Sequence, residues 1–353
     1  MNTKKALIGM SGGVDSSVAA LLMRRQGFSC MGVYMRLHSV PCGGANHSAD
    51  AEAVARKMGI PFQVMDFQDA FQKNVIHPFI AAYEAGLVPN PCIRCNRTMK
   101  FGALLDRALD MGYQYVVTGH YARIRRDEAT GRYLLYKAAD RAKDQTYFLA
   151  GLSQHQLAHT CFPLGELTKE TVRGLAQDNG LLTAGKKDSQ YICFVPDGDY
   201  VAFMERYAGK AYPAGDFLDL SGRVVGRHRG AVAYTIGQRK GLGLAMGAPV
   251  YVCGKDIERN TVTVGPNEAL FSKALRGCDW QWYPFPALTS PMAVTAKTRH
   301  SQTEQPAMVY PEENGFARVE FECPQRAITP GQAVVLYQGD LVIGGGTITE
   351  VLL

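Results

Sequence analysis

The first two hundred residues alternate between two hydrophobic periods. "KALIGM" at 5–10 is a short apolar run, followed by a Gly/Ser turn and then "VDSSVAALLMRRQG", where Val14, Val18, Leu21 and Leu22 recur at helical spacing until Gly27. "FSCMGVYMRL" reads as a second buried strand, "SADAEAVARKMG" as a helix closing at Gly59, and "PFQVMDF" as a third strand. "RTMKFGALLDRALDMG" and then "YQYVVTGHY" repeat the helix-to-strand step. Apolar strands alternating with amphipathic helices predict an α/β region whose parallel sheet is covered on both faces.

After Tyr121 the texture changes. "YARIRRDEATGRYLLYKA" reads as two strands around a Gly-containing turn. From about Gly198 the helical pattern fades into a Gly-rich, basic stretch ending near Pro266. Beyond it, "AVTAKTRH", "FARVEFE", "QAVVLYQGD" and "LVIGGGTITEVLL" are short alternating strands, which predict a small antiparallel barrel or sandwich. The expected division is a catalytic α/β domain at 1–197, a small mixed central domain at 198–270 and a β-barrel domain at 271–353.

Length and composition fit this picture. A chain of 353 residues with 46% hydrophobic and 20% charged content is an ordinary multi-domain globular protein. No apolar run reaches the roughly 20 residues that span a bilayer, and the first ten residues lack a signal peptide's apolar core, so no membrane association and a cytoplasmic location are expected. Nine cysteines, an odd number in a large chain, argue for reduced thiols rather than a disulfide framework. The net charge is +6, and residues 201–250 alone carry seven Arg or Lys against three acids. That bias suits a polyanionic partner, and a solvated basic face would look the same.

The chemistry starts at "MSGGVDSS", Met10 to Ser17, between the first strand and the first helix. There, main-chain N–H groups and the positive helix end can hold an anion, and Gly12 and Gly13 let the backbone approach it. Ser11, Ser16 and Ser17 add hydroxyls, while Asp15 is placed to cap the helix or to help coordinate Mg²⁺. No G-x-x-x-x-G-K-[ST] occurs, which argues against the NTPases that cleave the γ-phosphate. "NPCIRCNRTMKF", Asn90 to Phe101, then sets Cys92 and Cys95 one helical turn apart, with Arg94 and Arg97 near enough to lower a thiol pKa. Locally, these thiols could be metal ligands, a redox pair, nucleophiles or small buried side chains.

The Ser-Gly-Gly-x-Asp-Ser loop resembles the pyrophosphate loop of the ATP pyrophosphatase superfamily, with its adenine nucleotide alpha-hydrolase-like fold. That resemblance implies ATP with Mg²⁺ as activating cosubstrate, held by Gly9, Met10, Ser11, Gly12, Gly13, Val14, Asp15 and Ser16, with Met35 and Gly119 on the adenine side. Together with C-x-x-C, "KDQTYFL", "ICF", "YTIGQRKGLG" and "ITPGQ" in this order, the whole chain resembles the bacterial tRNA-specific 2-thiouridylases. The implied reaction adenylates the C2 oxygen of a wobble uridine and replaces it with sulfur. Cys193, read as lying on a strand that leaves the catalytic domain, would carry a persulfide received from a sulfur-donor protein. Cys95 would be the nucleophile that frees the sulfur and closes a transient disulfide with Cys193.

The same resemblance assigns tRNA contact to Asn90, Pro91 and Cys92 at the target base, and to His120, Lys143, Asp144, Gln145, Arg299, His300 and Gln332. Arg239 and Lys240 are further basic candidates. Many family members have an aspartate where this chain has Cys92, so the acid/base duty given to that aspartate does not transfer. Two readings stand. Either Cys92 is a neutral placeholder or auxiliary thiol, or Cys92, Cys95 and Cys193 hold a [4Fe-4S] cluster with one iron left open. Cys30, Cys161, Cys253, Cys278 and Cys323 read as buried or idle thiols, and Cys42 as the one most able to visit the site. Two other functions compete: an adenylating enzyme of the same superfamily acting on a small molecule, and a non-catalytic RNA-binding protein.

Overall fold

The computed structural model describes residues 3–38, 47–186 and 192–352. Cys42 lies outside them. Five parallel strands form the first sheet: β1 (Lys5–Gly9), β2 (Ser29–Arg36), β3 (Phe62–Asp66), β4 (Tyr115–Val117) and β7 (Thr160–Cys161), in the order β3-β2-β1-β4-β7. Strand β1 shows why its sequence is continuously apolar. Ala6 and Ile8 enter one core with α1 (Val14–Arg25) and α2 (His47–Met58), whereas Leu7 points into the opposite core. Side chains alternate between faces, and both faces here are covered.

Two long helices complete this region, α3 (68–84) and α4 (91–110), each containing a π-helical stretch, at Gln72–Ile76 and Asn96–Ala103. The chain builds outward from β1 through β2 to β3 and then returns to place β4 on the other side of β1. Such a switch opens a crevice beyond the C-terminal ends of β1 and β4, where ligands of open α/β sheets bind. The Gly/Ser loop and the turn at 118–120 both sit there. Helix α5 (Lys169–Asp178) packs beside α1.

The hairpin expected after Tyr121 is present as β5 (Arg123–Arg126) and β6 (Tyr133–Tyr136), but it does not extend the first sheet. It joins the far end of the chain, Tyr136 pairing with Leu341. The core containing Leu7 and Leu104 also takes in Tyr283, Val335, Tyr337 and Val342, so the barrel shares a hydrophobic core with the parallel sheet. The barrel runs β12 (Phe271–Trp282), β15 (Ala317–Arg326), β14 (Gln305–Pro311), β13 (Met292–Lys297), β16 (Ala333–Gln338), β17 (Leu341–Leu352), closed by β12 pairing with β17. Closure removes the exposed edges that such strands would otherwise present.

Between these parts lies a four-stranded sheet of β8 (Gly215–Leu218), β9 (Val224–His228), β10 (Tyr251–Asp256) and β11 (Thr261–Gly265). The expectation that helix ends near Gly198 is corrected by α6 (Tyr200–Ala208), capped by Asp199 and stopped by Gly209 in the left-handed region. Its Val201 and Met204 are buried, and a stripe this short is hard to see in a Gly-rich context. No helix among the described residues is long and apolar enough to cross a membrane.

Candidate active site

The Gly/Ser loop is held in shape by its own hydroxyls. Ser11 N–H donates to Ser16 Oγ at 3.1 Å, and Ser17 Oγ donates to the Gly13 carbonyl at 2.8 Å. Gly12 has φ +73°, and a Cβ there would lie 2.4 Å from the His47 carbonyl oxygen, so only glycine fits this turn. The preceding Met10 is anchored by its N–H to the Val33 carbonyl at 2.8 Å. Val14 and Ser16 are buried beneath the loop, and half-buried Met35 lies at the end of β2. Gly9, Met10 and Ser11 to Ser16 therefore form one continuous cradle at the crevice.

Asp15 behaves differently from the expectation. The helix cap is Gly13, which makes no side-chain bond, and the Asp15 carboxylate turns to Lys169, whose Nζ donates to both oxygens at 2.7 and 2.8 Å. Tyr121 OH adds a third bond to Asp15 at 2.9 Å. The acid sits at the second position of the first turn, two residues past the capping position held by Gly13.

Gly119 closes the other side of the crevice. A Cβ at Gly119 would lie 2.6 Å from the Asp15 carbonyl carbon and 2.7 Å from Ser16 N, so the 118–120 turn touches the start of α1. Next to it, His120 Nδ1 lies 2.7 Å from Thr118 Oγ1, and its ring contacts Phe101 of α4 at 5.9 Å and Phe162 at 5.8 Å. Burial pushes the His120 pKa well below the usual imidazole value, and Lys100 adds to the shift.

The two vicinal thiols open α4. Asn90 caps that helix, its side-chain oxygen accepting from Cys92 N at 3.1 Å and Ile93 N at 3.3 Å, with Pro91 in the first turn. Cys95 points into a core containing Phe71, Phe79, Met99 and Phe194, while the Cys92 side chain reaches solvent. Burial raises both thiol pKa values, and Lys100 opposes the rise at each. The expectation that Arg94 or Arg97 would serve is therefore corrected. Arg94 bonds the Asn74 carbonyl, and Arg97 forms a two-pronged ion pair with Asp279 of the barrel. The π-helical stretch, with its i→i+5 bonding, brings Lys100 round towards Cys95.

Cys193 is exposed and lies in a turn, not on a strand. Val195 N–H returns to the Ile192 carbonyl at 2.9 Å, and Phe194 anchors the turn by packing its ring on Phe71 and Phe79. Cys193 borders a cleft of about 130 Å³ with Leu37, Gln72, Ile76, Phe203 and Tyr207. Phe194 thus ties the Cys193 turn to the same core that buries Cys95. Among the described residues, no three His, Cys, Asp or Glu side chains stand close enough together to hold a metal ion.

Three family models cover nearly the whole chain. They are a tRNA methyl transferase HUP domain over residues 4–197, a tRNA methyl transferase PRC-barrel domain over 201–266 and an aminomethyltransferase beta-barrel domain over 272–348. The tRNA-specific 2-thiouridylase MnmA of Acetivibrio thermocellus is 48% identical over 99% of this chain and 100% of its own length. That of Symbiobacterium thermophilum is 49% identical over 99% of this chain and 93% of its own. The chain belongs to the tRNA-specific 2-thiouridylase family. A solved 4-thiouridine synthetase in complex with RNA and ATP is a far more distant likeness, 14% identical over 57% of this chain and 50% of its own, with a TM-score of 0.37.

Several residues expected at the tRNA by membership of the 2-thiouridylase family are committed within the fold. Asp144 accepts from Ala138 N and Thr146 Oγ1, Gln145 accepts from Tyr121 N, and Gln332 donates to the Val88 carbonyl. Arg299 donates to the Ile236 and Ala327 carbonyls and to Thr329. These bonds tie the side chains to their own surroundings. His300 is exposed, packs its ring at a tilt against Phe148 with centroids 4.4 Å apart and lines a polar cleft of about 650 Å³ with Asp144, Lys137, Arg141 and Lys297. Lys143 ends the short turn at Arg141–Lys143 beside this cleft, and Arg239 and Lys240 are exposed in the central region.

Sequence reasoning missed Lys169, Lys186, Tyr121 and Lys100. Lys169 and Lys186 reach the loop from 154 and 174 residues away, so no local motif could signal them. Lys100 does lie within the quoted cysteine segment, but only the π-helical register turns it towards the thiols.

Proposed function

We propose that this protein is an ATP-dependent tRNA sulfurtransferase that converts a wobble uridine to 2-thiouridine. One observation carries the reading. The anion loop and the helix α4 that carries the thiols meet across the single turn 118–120, where Gly119 touches Asp15 and Ser16 while His120 contacts Phe101, six residues after Cys95, and shares the field of Lys100 with Cys95. Activation and sulfur delivery then act on one base.

ATP would lay its polyphosphate over the main chain of residues 10–14, with the adenine towards Met35 and Gly119. The uridine O2 attacks the α-phosphorus, the bond to the bridging oxygen breaks and pyrophosphate leaves, so that C2 now carries AMP as its leaving group. The terminal sulfur of a Cys193 persulfide attacks C2 and AMP departs. The Cys95 thiolate next attacks the Cys193 sulfur, breaking the S–S bond and leaving sulfur on the ring. A Cys95–Cys193 disulfide remains, and a thiol reductant returns two electrons. A neutral His120 can accept or donate a hydrogen bond at the base without adding charge.

The exposed position of Cys193, beside an apolar cleft, supports loading by a sulfur-donor protein. Asn90, Pro91 and Cys92 at the mouth of α4 support their contact with the extruded base, and His300 beside the large polar cleft supports contact of Lys143, Asp144, Gln145, Arg299 and Gln332 with the rest of the tRNA. An acceptor of this kind places the protein in the cytoplasm, and the divisions 1–197, 198–270 and 271–353 are our proposed domains. The iron–sulfur alternative gains no support from the donor set, since among the described residues no three His, Cys, Asp or Glu side chains stand close enough together to hold a metal ion. No step is routed through a cluster. Asp15 is already bound to Lys169, so it is not assigned as a Mg²⁺ ligand.

The test is direct. The protein is incubated with ATP, a small-molecule persulfide donor and unmodified tRNA, and the tRNA is digested for mass spectrometry. 2-Thiouridine with one AMP per thiolation is expected; ATP turnover on a small-molecule acceptor without thiolated tRNA would overturn the reading.

A further inference from the structure

The phosphate cradle turns on the peptide between Gly12 and Gly13. In a planar trans peptide the carbonyl and the following N–H point to opposite sides, so whichever side the Gly12 oxygen takes, the Gly13 N–H takes the other. Two adjacent glycines make that plane easy to flip, because neither carries a Cβ to resist a change in ψ at Gly12 and φ at Gly13. Flipped, the peptide would offer the phosphates an oxygen in place of a donor. The Gly13 N–H has no hydrogen-bond partner among the described residues. It is a donor for an anion only while the peptide keeps its present orientation.

That orientation is held from a distant segment, Thr183 to Lys186. Lys186 Nζ donates to the Gly12 carbonyl at 3.0 Å and pairs with Asp50 in the first turn of α2, the helix whose His47 carbonyl packs on Gly12. Thr183 is fully buried and donates its hydroxyl to Ser17 Oγ at 3.1 Å, and Ser17 Oγ in turn donates to the Gly13 carbonyl at 2.8 Å. The segment is itself fixed. Lys186 N–H returns to the Thr183 carbonyl at 3.1 Å, and Arg173 of α5 donates to the carbonyls of Ala184 at 3.1 Å and Lys186 at 3.3 Å.

We propose that Thr183–Lys186 is a clamp on the nucleotide loop, and that Lys186 is the positioning residue that keeps the Gly13 N–H directed at the polyphosphate of the activating nucleotide. The inference rests on the sulfurtransferase reading above and adds residues to it. Lys186 acts through geometry rather than through its field. Its charge is matched by Asp50, and with 32% and 37% of the two side chains exposed, solvent screens what remains. The directional bond to the Gly12 carbonyl survives that screening and sets the peptide plane. Thr183 supplies the second tie through Ser17, so the carbonyls of both glycines are held from the side away from the Gly13 donor.

The experiment follows the Gly13 amide itself. With glycine labelled at its carbonyl carbon and its nitrogen, an HNCO spectrum detects only amides preceded by another glycine, which in this chain are Gly13, Gly44, Gly345 and Gly346. Gly44→Ala identifies the Gly44 signal, and Gly345 and Gly346 belong to β17 of the barrel. Inorganic pyrophosphate is titrated into the unaltered protein, Lys186→Met, Lys186→Arg and Asp50→Asn, and calorimetry measures pyrophosphate, ATP and AMP binding by each. The Gly13 amide proton of the unaltered protein is expected to move downfield as pyrophosphate binds. Lys186→Met should lose that shift and bind pyrophosphate and ATP about tenfold more weakly, the effect of one charge-assisted hydrogen bond, with AMP within about twofold. Lys186→Arg should recover most of the loss, and Asp50→Asn, which keeps the bond to Gly12, should stay within about twofold. Absence of the Gly13 shift in the unaltered protein overturns the proposal, as does normal pyrophosphate binding by Lys186→Met. A merely structural role would weaken all three ligands alike in Lys186→Met and Asp50→Asn, and that result overturns it too. Should Lys186→Met fail to fold, Thr183→Val decides: weaker pyrophosphate binding with AMP unchanged supports the clamp, and unchanged binding of both removes it. If the Gly13 signal shifts but the protein makes no 2-thiouridine, the sulfurtransferase reading fails while the clamp stands on the binding data.

Discussion

Gly119 lies against the main chain of Asp15 so closely that a methyl group in place of its hydrogen would approach the Asp15 carbonyl carbon to 2.6 Å. Backbone cannot swing aside as a flexible side chain can. Gly119→Ala should therefore push the 118–120 turn off the start of α1, costing about 1–3 kcal/mol of stability and separating the two halves of the site. Thermal unfolding and KM for ATP should both worsen; an unchanged KM would show that the contact does not shape the crevice.

Asn90 satisfies two otherwise orphaned N–H groups at the start of the helix that carries Cys92 and Cys95. Asn90→Ala should cost about 1 kcal/mol, with Asn90→Ser recovering part of it. Chemical denaturation measures the stability, and thiolation of tRNA reports whether fraying of this first turn misplaces Cys95. Loss of activity without loss of stability would point instead to direct contact between Asn90 and the base.

Cys95→Ser and Cys193→Ser should each abolish 2-thiouridine formation with a persulfide donor while leaving tRNA binding within about threefold. Cys92→Ser should retain thiolation, because its exposed side chain stands apart from the core that holds Cys95. Anaerobically prepared protein should thiolate without iron. Iron-dependent product formation that disappears in Cys92→Ser would restore the cluster reading.

Lys255, on β10, places its ammonium 5.8 Å from the centroid of the Tyr83 ring and donates to the Tyr234 carbonyl at 3.3 Å. Burial pushes its pKa from 10.5 down to about 8. Below about pH 8 both folded and unfolded chains carry the proton, and the burial penalty is felt in full. Between about 8 and 10.5 the folded chain sheds the proton that the unfolded chain keeps, so this group's contribution to stability rises with pH across that window. Lys255→Met should unfold at a higher temperature at pH 7 and lose that rise. Parallel pH profiles for the two proteins would refute the assignment.

Much of the fold was legible because its signals are local. The alternation of apolar strands with helices gave the parallel sheet, and the period-two strands after Gly265 gave the barrel. "MSGGVDSS" and the cysteine segment marked both chemical elements, since their turn and cap geometry depends on residues only a few positions apart. Less visible were the short helix Tyr200–Ala208 and the turn holding Cys193, where packing of a few residues such as Met204 and Phe194 outweighs a weak local pattern.

By itself the sequence determined the α/β order, the loop that can cradle an anion, the paired thiols and, through the order of its motifs, the family. Only the tertiary structure decided that Lys169 neutralises Asp15, that Lys100 rather than Arg94 or Arg97 faces the thiols, and that the 123–136 hairpin pairs with β17. The physical reason is common to all three. Hydrogen-bonded turns and helical periods are fixed by neighbours along the chain, whereas a charge finds its partner, and an edge strand its neighbour, only through the folding of segments a hundred or more residues apart, or through a helical register that packing selects.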